Sequence, residues 1–247
     1  METNTSHSIE DIGGLATLTG PLRRCQPPKT DIGAFLFDVD GVIADTAGLH
    51  ADAWHRLADE AGLPFDSILP DAFRGISREA SLKKLLGDRR VTPERFDEML
   101  DRKNRLFQDM LEQLGPTDRL PGVDALFQGL RRFDIRLAAV SASRNARTVL
   151  QRLDLIDAFE IILDGNNEDE NPSGLHRFAR AAAGLRVTPD RCVVVEDATA
   201  GIAAARQLGM KSIGIGSSGR LCAATLVFES LRGVDAGMLL GWLSKPS

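Results

Sequence analysis

Three short stretches carry side chains that could do chemistry, and each follows an apolar run. Ala34–Phe37 is wholly apolar and ends at Asp38 and Asp40, two carboxylates separated by one residue and followed by Gly41. Residues 192–195 end at the adjacent acids Glu196 and Asp197. Residues 135–140 end at Ser141-Ala142-Ser143. Apolar runs of this length, broken here only by Arg136, fit strands buried on both faces, and the ends of such strands are where open α/β sheets place their sites. A small hydroxyl residue beside backbone N–H groups at a helix start can hold a phosphate. Paired carboxylates can ligate a hard cation, attack an electrophile or move a proton. Taken singly, each stretch has a plainer reading: a solvated acidic turn, or a helix cap.

The elements that must position these groups are legible in outline. After Thr46, Leu49, Ala53, Leu57 and Ala61 recur at helical spacing until Gly62 and Pro64. Arg78–Leu86 and 93–114 are further helical stretches, the second with Thr92 as N-cap and Pro93 at its first position. No convincing strand occurs from about residue 52 to 119. Pro121-Gly122-Val123 then returns the chain to strand–helix alternation. Helices are expected at 126–133, 146–153, 175–184, 200–208 and 234–243. Strands are expected at 135–140, 160–163, 191–195, Lys211–Ile215 and 225–228. The alternation implies right-handed βαβ units and a parallel sheet.

Composition narrows the classes. At 247 residues with 43% hydrophobic side chains the chain can bury a full core, and the formal net charge of −5 without a basic run argues against nucleic acid. No stretch approaches the roughly 20 apolar residues of a membrane span. Residues 1–30 are polar, lack the apolar core of a signal peptide, and are expected to be a flexible extension. Cys25, Cys192 and Cys222 show no metal-ligand spacing, as expected for reduced thiols in a cytoplasmic protein. A monomer acting on a small molecule is expected.

The string Asp38-Val39-Asp40-Gly41-Val42-Ile43-Ala44-Asp45-Thr46 resembles the first motif of the haloacid dehalogenase superfamily of phosphoryl-transfer enzymes. Ser141-Ala142-Ser143 resembles its second motif, and the run from Val193 through Glu196-Asp197 to Met210 closely resembles its fourth. The resemblance implies a Rossmann-like parallel sheet core, 31–51 and 120–247, with an inserted all-helical cap, 52–119. It implies Asp38 as nucleophile and metal ligand, Asp40 as general acid/base and backbone metal ligand, Glu196 and Asp197 at a Mg²⁺, and Ser141 on the transferring phosphoryl group.

Within the superfamily, Gly75-Ile76-Ser77-Arg78-Glu79-Ala80-Ser81-Leu82, Arg102-Lys103-Asn104 and Ser143-Arg144-Asn145 resemble the β-phosphoglucomutase branch. That resemblance puts Gly75, Ser77, Arg78, Lys103, Asn104, Ala142, Ser143, Arg144 and Asn145 around a sugar phosphate. It puts Thr46 and His50 at the hinge that couples cap closure to Asp40. It implies a Mg²⁺-dependent sugar phosphomutase passing through an aspartyl phosphate and a bisphosphate. A sugar-phosphate phosphatase is the alternative.

One departure is plain. The third motif of the superfamily is a lysine before the helix at 175–184. Here Asn171 or Pro172 holds that place, in a loop that is acidic, and no lysine occurs between Lys103 and Lys211. A missing charge-assisted contact of about 1.5–3 kcal/mol predicts slower chemistry, and admits a catalytically weak binding protein as a further alternative. His176 and Arg177 are possible substitutes, though residues of these types usually lie on a helix surface.

Overall fold

The computed structural model describes residues 30–66, 68–166 and 174–244. The expectations for the N-terminal extension, Cys25 and the Asn171-Pro172 loop lie outside these residues. The described residues open with strand β1 (Ala34–Phe37) and four helices: α1 (Thr46–Ala61), α2 (Leu69–Ala72), α3 (Arg78–Leu86) and α4 (Pro93–Leu111). Then come α5 (Val123–Arg132), β2 (Arg136–Val140), α6 (Ala146–Arg152), β3 (Ile161–Leu163), α7 (Gly174–Gly184), β4 (Cys192–Glu196) and α8 (Thr199–Gln207). The last elements are β5 (Lys211–Ile215), α9 (Ser218–Leu221), β6 (Leu226–Phe228) and α10 (Ala236–Leu243).

All strand pairs are parallel and the order is β3-β2-β1-β4-β5-β6. The chain builds outward from β1 through β2 and β3, then crosses back to lay β4 on the other side of β1. The direction of winding therefore reverses at β1, and a sheet of this kind opens a crevice at the strand ends there. Period-2 alternation divides β1 between two cores. Phe35 and Phe37 face one layer with Leu137, Val193, Leu126, Leu130, Leu150 and Leu239. Ala34 and Leu36 face the other with Val140, Val194, Phe178, Ala181 and Ala205. Phe37 packs edge-on against Phe127 at 4.9 Å between ring centroids, and Phe127 against Phe159 at 5.4 Å. Such pairs add about 0.5–1.5 kcal/mol each beyond the area they bury.

The helices between β1 and α5 form a cap whose own core, Trp54, Leu57, Leu82, Leu100 and Phe107, is continuous with the first layer. Thr92 caps α4 by accepting from the Arg95 amide at 3.2 Å. Two expectations need correction here. The helix expected to run to 114 ends at Leu111, because its last amides bond three residues back rather than four, Gln113 to Met110 and Leu114 to Leu111. The short helices α2 and α9 were not foreseen, since four residues carry no readable period. Among the described residues, no helix is long and apolar enough to cross a membrane.

The return from cap to core depends on Gly122. Its φ is +98°, and a Cβ there would lie 1.9 Å from the Leu231 carbonyl oxygen. Both backbone strain and overlap with backbone atoms oppose any side chain. Gly122→Ala is expected to lower stability by about 2–4 kcal/mol, measured by urea denaturation. A loss below about 0.5 kcal/mol would show that this bend can shift freely.

Candidate active site

Register brings the three motifs to one edge. Phe37 pairs with Ala139 on one side and Val195 on the other, so Asp38 emerges level with Val140 and Glu196. The Asp38 amide still donates to Val195 O at 2.9 Å, and the Ser141 amide to Leu163 O at 2.9 Å. Asp38, Glu196 and Asp197 are all buried, and each offers a carboxylate oxygen within 4.8 Å of the others'. Gly41, at φ +82°, makes this approach possible: a Cβ there would lie 2.3 Å from Asp197 Oδ2. Gly201 does the same behind the cluster, where a Cβ would lie 2.0 Å from Glu196 Oε1.

The cluster is electrostatically strained as it stands. Burial, and then the neighbouring Glu196, Asp40 and Asp197 charges, push Asp38 well above the usual carboxylate range. Burial and Asp197 push Glu196 to about 8, although its Oε2 accepts from the Ala198 amide at 2.8 Å. Burial raises Asp197 to about 6 against the opposing pull of Arg74 and Arg220. Arg74 donates to its carboxylate and Arg220 to its backbone carbonyl. Three buried oxygen donors that resist ionising together are a fitting ligand set for a hard divalent cation.

Asp40 has a different environment. Burial raises its carboxyl, but the adjacent His50 imidazole and hydrogen bonds from Thr46 and Ser141 outweigh this and hold it below its ordinary value. Thr46 Oγ1 donates to Oδ1 at 2.5 Å, Ser141 Oγ to Oδ2 at 3.2 Å, and His50 Nε2 stands 3.6 Å away. His50 stacks on Phe107 at 3.8 Å, and its Nδ1 lies 2.6 Å from Lys103 Nζ. Lys103 is 4% exposed, so the surface position usual for a helical lysine does not apply. Burial lowers it to about 7, with its ammonium over the Trp54 and Phe107 rings. Burial and Lys103 lower His50 as well. An ammonium facing Nδ1 fixes the neutral tautomer with its hydrogen on Nε2, turned to Asp40. A lysine of α4 is thereby linked through a histidine of α1 to the Asp40 carboxylate.

The cleft holding these groups encloses about 160 Å³. Its far end is closed by Asn145 and Arg144 from the core against the cap. Asn145 Nδ2 donates to Asn104 Oδ1 at 2.9 Å, and Arg144 donates to Glu79 Oε1 at 3.0 Å, the same oxygen that Arg78 Nε approaches at 3.2 Å. Ser77 caps α3, accepting from the Ala80 amide, and Gly75 lets the cap loop touch the core, since a Cβ there would meet Ala198 Cβ at 2.8 Å. Ser141 and Ser143 shape the loop after β2 by accepting from the amides of Ser143 and Asn145, and Ala142 lines the cleft. Glu196 lies behind Asp38 and borders a smaller cavity instead.

Sequence reasoning missed Arg74, Arg220, Gln108 and Glu79. Arg74 directly precedes a quoted cap string and could have been read with it. Gln108 donates to Asn145 Oδ1 at 3.3 Å and sits one helical turn beyond Asn104, a findable spacing. Arg220 had no signal. The surface reading of Arg177 is also corrected: it is 7% exposed, whereas His176 is exposed.

The family model for haloacid dehalogenase-like hydrolases matches residues 32–209. The chain belongs to this family. Membership makes it a phosphoryl-transfer enzyme. Among curated relatives it is 38% identical over 198 residues to a β-phosphoglucomutase of Bacillus subtilis, covering 78% of this chain and 88% of the relative. It is 29% identical over 185 residues to a phosphorylated carbohydrates phosphatase of Thermotoga maritima, covering 73% and 83%. The crystal structure of β-phosphoglucomutase from Clostridium difficile superposes with a TM-score of 0.81 at 34% identity, over 86% of this chain and 97% of that one.

The raised carboxyls of this haloacid dehalogenase-like protein set its response to pH and metal. A carboxyl whose pKa is higher folded than unfolded contributes stability at low pH that is lost as pH rises through the folded value. For Asp197 and Glu196 that window runs from about 4 to about 8. A divalent cation competes with those protons, so Mg²⁺ is expected to raise the Tm more at pH 8 than at pH 5.5 in thermal melts. Equal shifts at both pH values would remove the cluster as the binding site. Asp38→Asn removes one repelling charge and is expected to raise the metal-free Tm at pH 8 while shrinking the Mg²⁺ shift.

Proposed function

We propose that the protein is a Mg²⁺-dependent sugar phosphomutase interconverting β-glucose 1-phosphate and glucose 6-phosphate through a hexose bisphosphate. The observation carrying this reading is that the cleft has two ends fit for phosphate. One is the Asp38 edge, with Ser141 and the cap-borne Arg74 beside it. The other is the Arg78–Glu79–Arg144 junction, where two guanidiniums share one carboxylate oxygen. A bisphosphate with a sugar between its ends can lie in such a cleft in either direction. A site that only removed one phosphate has no need for a second basic end.

In the first half-reaction an Asp38 carboxylate oxygen attacks one phosphorus of the hexose bisphosphate in line, the P–O bond to the sugar breaks, and the leaving oxygen takes a proton from Asp40, releasing a hexose monophosphate. In the second, Asp40 accepts a proton from the free hydroxyl of a bound hexose monophosphate as that oxygen attacks the aspartyl phosphate, re-forming the bisphosphate and releasing Asp38. Hydrogen bonds from Thr46 and Ser141 hold Asp40 ionised and ready for this second role. Asp38, Asp197, Glu196 and the Asp40 carbonyl are the groups that would hold Mg²⁺, which when bound would supply the positive charge that lets a carboxylate approach a phosphate dianion. Residues 52–119 act as the cap that excludes water from the aspartyl phosphate, and the Lys103–His50–Asp40 chain ties its closure to the proton carrier.

A sugar-phosphate phosphatase is the second reading, favoured by the phosphatase among the relatives. Supplying β-glucose 1-phosphate, Mg²⁺ and a trace of hexose bisphosphate, and measuring both glucose 6-phosphate and free phosphate, separates the two. Glucose 6-phosphate in large excess over phosphate is expected. Free phosphate alone would establish the phosphatase. Asp38→Ala is expected to abolish both products, and turnover surviving it would refute the nucleophile. His50→Ala is expected to lower kcat by about 10²–10³-fold, the usual worth of proton transfer, and to raise the share of free phosphate.

A further inference from the structure

Arg74 reaches out of the cap onto an oxygen that a cation site would also need. It lies between α2 and α3, and its Nη1 donates to Asp197 Oδ2. That oxygen is turned toward the loop after β1: a Cβ on Gly41 would lie 2.3 Å from it and 3.3 Å from Arg74 Nη1. Asp38 and Asp40 belong to the same loop, and both line the cleft together with Arg74 and Asp197. A divalent cation shared by Asp38 and Asp197 calls on the Asp197 oxygen that faces this loop. A guanidinium and a divalent cation on one oxygen repel, and more strongly in a site poor in water. The two are therefore alternatives for Asp197 Oδ2.

Arg74 has a second seat. Its Nε donates to Asp71 Oδ1 at 3.1 Å, on an exposed carboxylate, and Arg74 is itself only partly buried. Turning outward on that contact keeps the guanidinium paired and lets water reach its other nitrogens. The cap loop is tied to the same place. Gly75, at φ +70°, sets the backbone on the segment that follows Asp197, where a Cβ would meet Ala198 Cβ at 2.8 Å. Arg74 and Gly75 are consecutive, so the ion pair and the close backbone approach form one docking contact between cap and core.

We propose that Arg74 is a positioning residue that sets cap docking against cation binding: its guanidinium holds Asp197 and draws the 73–76 loop onto the core, and a divalent cation gains Asp197 only as Arg74 moves over to Asp71 and releases that loop. The linkage is reciprocal, because two occupants compete for one oxygen. A cap held down by Arg74 weakens the cation, and a bound cation loosens the cap loop. The order that follows is cation first and cap second, with the released loop left to the groups that fill the cleft. The inference rests on the reading of Asp38, Glu196 and Asp197 as a cation site, and not on which phosphoryl transfer takes place there. The simpler role open to Arg74 is that of a fixed charge that merely repels the cation from where it stands.

Hydrogen exchange of the full chain, with Mg²⁺ alone as the probe, reads the loop directly. The amides of 73–76 are expected to exchange about threefold faster, or more, at saturating Mg²⁺. In Arg74→Met, which keeps an unbranched stem and removes the charge, they are expected to exchange at that faster rate from the start and to ignore Mg²⁺. Arg74→Gln carries the same expectation should that variant fold poorly. Exchange that slows or stays level with Mg²⁺ in the unaltered protein would overturn the proposal, since guanidinium and cation would then share Asp197. Calorimetry of Mg²⁺ binding adds a readout that a fixed charge would not move. Asp71→Asn removes the second seat, and is expected to weaken Mg²⁺ about threefold in the otherwise unaltered protein and not at all beside Arg74→Met. An equal loss in both would make Asp71 a through-space charge and overturn the change of partner. An unaltered protein that takes up no Mg²⁺ would overturn the cation site and this proposal together. The linkage observed in a protein that makes neither glucose 6-phosphate nor free phosphate would support this proposal and remove the proposed reaction.

Discussion

Carboxylates held together out of water repel, and this fold concentrates them at its centre. Asp38, Glu196 and Asp197 meet where the winding of the sheet reverses, at the ends of the two strands most deeply enclosed, with every residue of β1 and β4 buried. The apolar layers above and below the sheet supply the stability that tolerates this repulsion. The repulsion in turn specifies what the site can accept: a cation between the carboxylates, and donors around them. Two glycines enforce the closeness, since a side chain at Gly41 or Gly201 would push Asp197 or Glu196 away.

Around that cluster the protein distributes positive charge by element. The cap contributes Arg74, the segment after β5 contributes Arg220, and α7 contributes Arg177. Each reaches a different part of the carboxylate set, so charge balance depends on three separate pieces of chain docking correctly. Asp40 stands apart from its neighbours although it is only two residues from Asp38. Its oxygens are engaged by Thr46 and Ser141, which keep it ionised, while Asp38 is driven toward protonation. Two carboxyls so close in sequence, with opposite displacements, are equipped for different work.

The cap is more than a lid in electrostatic terms. Lys103 loses hydration when α4 packs over α1, and recovers part of that cost from two aromatic faces and from His50. His50 stands between it and Asp40. The position of the cap is therefore felt at the Asp40 carboxylate through two contacts, 2.6 Å and 3.6 Å long.

By itself the sequence determined the order of the strands and of the longer helices, and the three strand ends that carry acids and serines. These follow from local causes: apolar period, caps, and short strings whose residue types are fixed by chemistry. Helix ends shifted by a few residues where the last turn tightened, as after Leu111. Only the tertiary structure decided which strand ends become neighbours, because the crossover from β3 back to β4 is not written in any one segment. It also decided the fate of the basic residues. Nothing in the residues beside Lys103, Arg177 and Arg220 marks their fates, yet Lys103 and Arg177 are sealed inside and Arg220 is folded back onto Asp197. The energy of a charge depends on what surrounds it in three dimensions, and no local pattern encodes those surroundings.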